Sequence, residues 1–464
     1  MNLNIVAAPL FLICFTLTIC IQFFFPLISY FLLVLLMVIL FIKKGLIDYR
    51  VGFLGMISVY SFFPITNFFI FNTHDVGIGS YKSFALLESY DLNLKALQFV
   101  SYFCLGICMH IIFRKNKFIN YLSELNGKGL LKENLSKYDW KLYISYILFF
   151  VTLLFLDWNR ISSEYTLEGV SLTFFMSYFI FSIYAVFIAT TGKLSISKVI
   201  PLFLIMAVFA YMGTRQTIFW GLLILFISQL IYQARIKTSL LSMTNIKRLA
   251  KYLAIISLIV TVFAITVSYR VNKDVGLIFT ILNDLPLIFK LSFSLFLSET
   301  YYTFYNLLIV IHSSLDGYLP MSSLLNDFFI QMIPSQIFSN KYAYMDFINI
   351  SREYELTPFG TWYIIGMIAT VSFIPFISFI IGFIYCEIIN LLSIFARKAT
   401  SSLGEFSAFY AIIYVFCCFY AVRATIAGGL KMALSIFIII ILFKLVPQLY
   451  NFIQIKNGRK KKVL

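Results

Sequence analysis

Three arginines stand where long apolar runs turn back. Arg215 lies in "FAYMGTRQTIFW" between two such runs, Arg270 closes another, and Arg423 sits in "YAVRATIAGGLKM" with Gly428, Gly429 and Lys431 beyond it. A guanidinium is planar, keeps its charge, and presents a fork of donors that matches the paired oxygens of a phosphate. Three of them at the ends of different helices are a set of residues that could hold an anion. The competing reading is that each one snorkels from a helix end to the headgroup region, which any single arginine so placed can do. Gly213 and Thr214 supply the small residues that a minimal turn before Arg215 needs.

The elements that position these groups follow from composition. The 464 residues are 61% hydrophobic and 19% aromatic with 12% charged, and the mean hydropathy is +0.92. A helix crosses the hydrocarbon with roughly 20 mostly apolar residues, and such segments recur from Ile5 to Leu445. The expected fold is all-α: one polytopic transmembrane domain over 1–464 with about 12 transmembrane helices. They are placed near Ile5–Phe24, Leu27–Ile42, Val51–Phe71, Leu94–Phe113, Leu142–Leu156, Leu172–Thr190, Val199–Tyr211, Thr217–Gln233, Tyr252–Tyr269, Thr361–Cys386, Phe406–Tyr420 and Ala433–Leu445. The first lacks a basic start and a small-residue cleavage site, so it reads as a retained helix. All seven cysteines lie in apolar runs, where they act as small hydrophobes. No disulfide, metal site or cofactor is expected.

The net charge of +16 is informative through its distribution. With the N-terminus cytoplasmic, 25 of the 36 Lys and Arg fall in inner loops, and the other 11 face 14 of the 20 acidic residues on the outer side. That asymmetry obeys the positive-inside rule and puts both termini in the cytoplasm. It argues against nucleic acid as a partner, and the basic C-terminal "KNGRKKKVL" suits an anionic inner leaflet. The segment 270–360 is the longest outer loop; its apolar patches, broken by Asp284, Pro286, Lys290 and Glu299, read as interfacial or re-entrant helices. No internal repeat is evident.

On the outer side the three arginines suggest a diphosphate, the headgroup of polyprenyl-linked sugars. Tyrosines in "SYKSFALLESY", "SETYYTFYNLL" and "NKYAYMDF" could stack on sugar rings or form an interfacial aromatic belt. In order and spacing the residues resemble the O-antigen and enterobacterial common antigen polymerases, the Wzy-type oligosaccharide repeat-unit polymerases. The resemblance covers roughly the C-terminal half. It consists of the Gly213–Arg215 turn, Arg270, the loop motif "LNDFFIQMIPSQIF" at Leu325–Phe338, "NKY" at Asn340–Tyr342, "LTPFGTWYIIG" at Leu356–Gly366, and Arg423.

This resemblance implies a lipid-dependent glycosyltransferase of GT-C-like architecture in the bacterial inner membrane, with its active site facing the periplasm. It would move a growing glycan from undecaprenyl diphosphate to the non-reducing end of a second undecaprenyl-diphosphate-linked repeat unit, without a nucleotide sugar. Both lipid-linked units and the bilayer would be its partners, and a chain-length-determining co-polymerase is an implied one. Arg215, Arg270 and Arg423 would stabilise the charge growing on the leaving diphosphate. A base for the acceptor hydroxyl is sought among His312, Asp327, Asp346, Glu353 and Glu355, with His312 and Asp327 as the catalytic candidates. Asp327 can equally cap a helix, and His312 can be a plain helix-end residue. An O-antigen ligase and a lipid-linked oligosaccharide flippase are the alternative functions.

Overall fold

The computed structural model describes residues 25–71, 89–127, 300–315, 321–349, 374–399 and 403–423, apart from some positions inside these spans, with scattered positions in 12–22 and residue 147. Helix α1 is Pro26–Lys44, α2 Tyr49–Thr66, α3 Tyr90–Phe113 and α4 Lys117–Gly127. Helix α5 is Thr303–Leu315, α6 Met321–Met332, α7 Ile377–Ala399 and α8 Leu403–Ile413. Among the described residues there is no strand.

Local chemistry explains the boundaries. Pro26 begins α1, where its missing N–H leaves no bond unmade. Gly45 ends it at φ 72°, a left-handed conformation natural to glycine, with its N–H on Phe41 O at 2.8 Å. Ser89 caps α3 and Asp48 caps α2 through their side-chain oxygens. Pro64 lies inside α2, and the next turns, Asn67–Phe71, are π-helical. Helix α7 begins only at Ile377, after a turn at Pro375–Phe376; the expected helix Thr361–Cys386 thus runs across a break and stops short, since α7 continues to Ala399.

Helix α3 is the axis of the bundle. Its most apolar window is 78% buried, against 39% for α2 and 33% for α7. Helix α7 packs parallel to it: Tyr102 meets Phe376, Gly106 meets Phe379, and His110 meets Glu387, in the same order along both helices. The contact is backbone on backbone. A Cβ on Gly106 would stand 2.1 Å from Phe379 O, and one on Gly382 would stand 2.4 Å from Phe103 O. Small residues permit such close approach between apolar helices, where packing and weak Cα–H···O contacts replace the hydrophobic drive. Helix α2 runs antiparallel to α3, and Tyr414, in the π-helical turns Tyr414–Tyr420 after α8, covers Gly52.

The expected twelve transmembrane helices are corrected here. Among the described residues three helices are long and apolar enough to cross a membrane: Tyr49–Ile70, Tyr90–Tyr121 and Ile377–Lys398. Pro26–Phe41 and Thr303–Leu315 are apolar but shorter. Apolarity records burial without saying what does the burying. In α5, Phe304, Tyr305, Leu307, Leu308, Ile309, Val310 and Ile311 are all enclosed by protein, as a helix apolar all round must be. Helix α8 has only 11 residues before the π-helical turns, so the expected helix Phe406–Tyr420 is not one regular span. A densely packed bundle with three candidate spans overturns the polytopic GT-C-like architecture. It also overturns the placement in a bacterial inner membrane with both termini cytoplasmic and the site facing the periplasm. The other expected helices lie largely or wholly outside the described residues.

The glycine crossing generates a paired test. Gly106→Ala is expected to destabilise by about 1–3 kcal/mol through overpacking. Gly55→Ala, with nothing within 4 Å of the added methyl, is expected to be neutral or stabilising by up to ~1 kcal/mol from helix propensity. Reversible unfolding in detergent compares the two; equal effects would refute the close crossing.

Candidate functional site

A buried network of charged and polar residues lies at one end of the bundle, where α2 starts and α3 stops. Asp48 and Arg50 are each 1% exposed and form a bidentate ion pair, with Arg50 Nε on Oδ1 at 2.9 Å and Nη2 on Oδ2 at 2.6 Å. Asp48 Oδ1 also accepts the Arg50 backbone N–H at 3.1 Å, which caps α2, and Asn116 Nδ2 at 2.9 Å. Arg50 Nη1 faces three acceptors: Arg114 O at 2.8 Å, His110 O at 3.1 Å and His110 Nδ1 at 3.1 Å. It thereby ties down the Arg114 carbonyl, which the helix end leaves without an intrahelical partner, and adds a second donor to His110 O, which already accepts the Arg114 N–H.

The remaining bonds extend the same arrangement to α4 and α8. Asn116 Oδ1 accepts the N–H groups of Phe118 and Ile119, and Asn390 Oδ1 accepts that of Lys117. Three first-turn donors of α4 are thus met by side chains. Asn390 Nδ2 donates to Lys115 O at 3.2 Å. Tyr410 donates to Ile47 O and accepts the Tyr49 N–H, and Tyr49 OH donates to Cys386 O at 2.9 Å. Around the pair, Phe118 packs on Tyr49, Phe406 and Tyr410, so the charges sit behind an aromatic screen.

His110 and Glu387 finish the network at 2.7 Å, Nε2 to Oε2, with Glu387 27% exposed. The tautomer follows from its neighbours. Arg50 has donors and no acceptor, so Nδ1 must offer its lone pair; the proton is on Nε2 and is donated to the Glu387 carboxylate. A proton reaching Glu387 could travel inward only by leaving His110 at Nδ1, where a donor already stands. The geometry therefore ends any proton path at His110 and makes the network a clamp on helix ends.

The residues singled out from sequence fall elsewhere. Arg215, Arg270, Glu353 and Glu355 lie outside the described residues, as does the side chain of Arg423, whose backbone closes the short helix Ala421–Arg423. Asp327, on α6, is fully buried and accepts the Asp346 N–H at 2.9 Å. His312 lies on α5, half-buried. The network itself was missed. Arg50 lies one residue before the expected helix Val51–Phe71, and His110 lies near the end of the expected helix Leu94–Phe113. Glu387 fell one residue outside the expected helix, although a lone carboxylate inside "IYCEIINLL" is the signal that marks a functional position in apolar surroundings.

No protein-family profile matches the chain, and no curated protein or solved structure is similar enough to it to count as a match. The resemblance to the Wzy-type polymerases is corrected on this and on the bundle with its three candidate spans. The glycan-polymerising function falls with it, together with the lipopolysaccharide and glycosyltransferase assignments and the ligase and flippase alternatives. Among the described residues no catalytic constellation of that kind is assembled, and no group of three His, Cys, Asp or Glu could hold a metal ion. The physical reason is that short motifs and apolar spacing carried the resemblance, and neither specifies how the helices pack.

Leaving one charge of the buried pair alone is expected to be costly. Arg50→Met or Asp48→Leu singly should lower stability by about 3–5 kcal/mol, while the double replacement should recover most of it. A double-mutant cycle on unfolding in detergent measures this; additive losses would refute the coupling.

Proposed function

We propose that lipid is the partner of this bundle, and that the chain acts as a bilayer-embedded helical scaffold whose buried charges fix helix register. The observation that carries this reading is a pair of outward apolar stripes. On α1, Ile28, Leu32, Leu35 and Ile39 are exposed at spacings of one helical face, and on α7 so are Ile380, Ile384, Ile388, Leu391 and Phe395. At the helical rise these stripes run roughly 16 and 22 Å. Apolar surfaces of that extent mark contact with lipid or protein. The interior supports the lipid choice: every polar atom of the Asp48–Arg50 pair that could seek water has protein partners or aromatic cover, as a low-dielectric setting demands.

Nitroxide labels at Leu35→Cys and Ile388→Cys, with the unsubstituted chain as blank, test the reading in reconstituted vesicles. Both labels are expected to be accessible to oxygen and shielded from a water-soluble nickel chelate. Equal access to both relaxants would overturn it, and spin–spin broadening between labels would assign the stripes to a second copy of the chain.

A further inference from the structure

We infer that the end of the bundle holding the network is a docking surface for anionic phospholipid headgroups. Lys44, Arg114, Lys115 and Lys398 are exposed there, and none forms an ion pair among the described residues. Arg397, 55% exposed, lies at the edge of the set, held by Glu124 at 3.4 Å and by the Tyr121 ring at 4.7 Å. The inference rests on the lipid reading of the stripes and adds the headgroup chemistry.

The fold places these cations together through bonds already described. Arg50 fixes the carbonyl of Arg114, and Asn390 fixes that of Lys115. Asn116, which caps α4, is tied to Asp48, four residues after Lys44. Helix α4 then runs beside α7, from Lys117 opposite Asn390 to Glu124 opposite Arg397. At the helical rise the two tiers of cations stand roughly 10 Å apart.

Charge and continuity point to an anionic lipid. The stripe on α1 runs through exposed Phe41 to Lys44, and the stripe on α7 runs through exposed Phe395 to Arg397 and Lys398. A lipid whose chains lie along either stripe would bring its phosphate to these side chains, whose long stems let the charge reach outward. Among the described residues the acidic groups near them are few. Asp48 is spent on Arg50, Glu124 is paired with Arg397, and Glu387 accepts from His110. Anionic surfaces attract basic residues by an amount equivalent to about five-fold in affinity per Lys or Arg near the surface.

The test uses the full chain in vesicles of phosphatidylcholine mixed with phosphatidylglycerol, with spin-labelled forms of each lipid as probes. The motionally restricted component reports which lipid occupies the shell around the protein. Preference for phosphatidylglycerol of at least about two-fold is expected, falling with added salt and abolished in Lys44→Gln/Lys115→Gln/Lys398→Gln. These positions are exposed, and retained helicity by circular dichroism checks the fold. Equal occupancy by both lipids, or a preference unchanged in the triple variant, would overturn the inference while leaving the bilayer reading intact. Absence of any restricted component would instead overturn the bilayer reading itself.

Discussion

The Asp48–Arg50 ion pair is the constraint on which the described architecture turns. Two charges withdrawn from water lose solvation that their mutual attraction does not by itself restore, so the remaining donors and acceptors must be met by the protein. They are met by the ends of other helices: the last turn of α3 through two carbonyls, and the cap of α4 through Asn116. Each such bond fixes the height of one helix against another. A network of this kind specifies register more than it adds stability, because an apolar pair of similar volume could fill the same space but would tolerate sliding.

Sliding is also limited by the crossing of α3 and α7. With Gly106 against Phe379 O and Gly382 against Phe103 O, the two backbones touch, and one turn further along His110 reaches Glu387. The two contacts are mutually dependent. A bulkier residue at the crossing would draw the carboxylate away from the imidazole, and Nε2–H would lose its acceptor in apolar surroundings. Phe383, edge-on to His110 at 5.1 Å, fills the space between the two contacts.

How much of this was legible in the sequence varies by element. Helices α1, α2 and α3 were readable within a few residues, because Pro26, Asp48 and Ser89 are start signals with a mechanism and Gly45 is a stop. Helix α7 was displaced, since Pro375 broke an apolar run that hydropathy treats as continuous, and the expected end at Cys386 lies in the middle of the helix. The network was illegible for a different reason. Its members are scattered at 48, 50, 110, 116, 387 and 390, and only tertiary packing brings them together. Apolar length, finally, could not say whether lipid or protein surrounds a helix such as α5.

The pairing of α3 with α7 has a consequence for biosynthesis. His110 and Glu387 are 277 residues apart in the chain, and at a translation speed of ~5–20 residues per second the acceptor emerges roughly 15–55 s after the donor. During that interval the Asp48–Arg50 hairpin exists without Asn390, Tyr410 or the glycine partner on α7. The nascent N-terminal helices therefore carry an incompletely covered ion pair and an open small-residue face for most of synthesis. A helper that shields polar groups of unfinished helical bundles would act in that window, and truncation before Ile377 would extend it indefinitely.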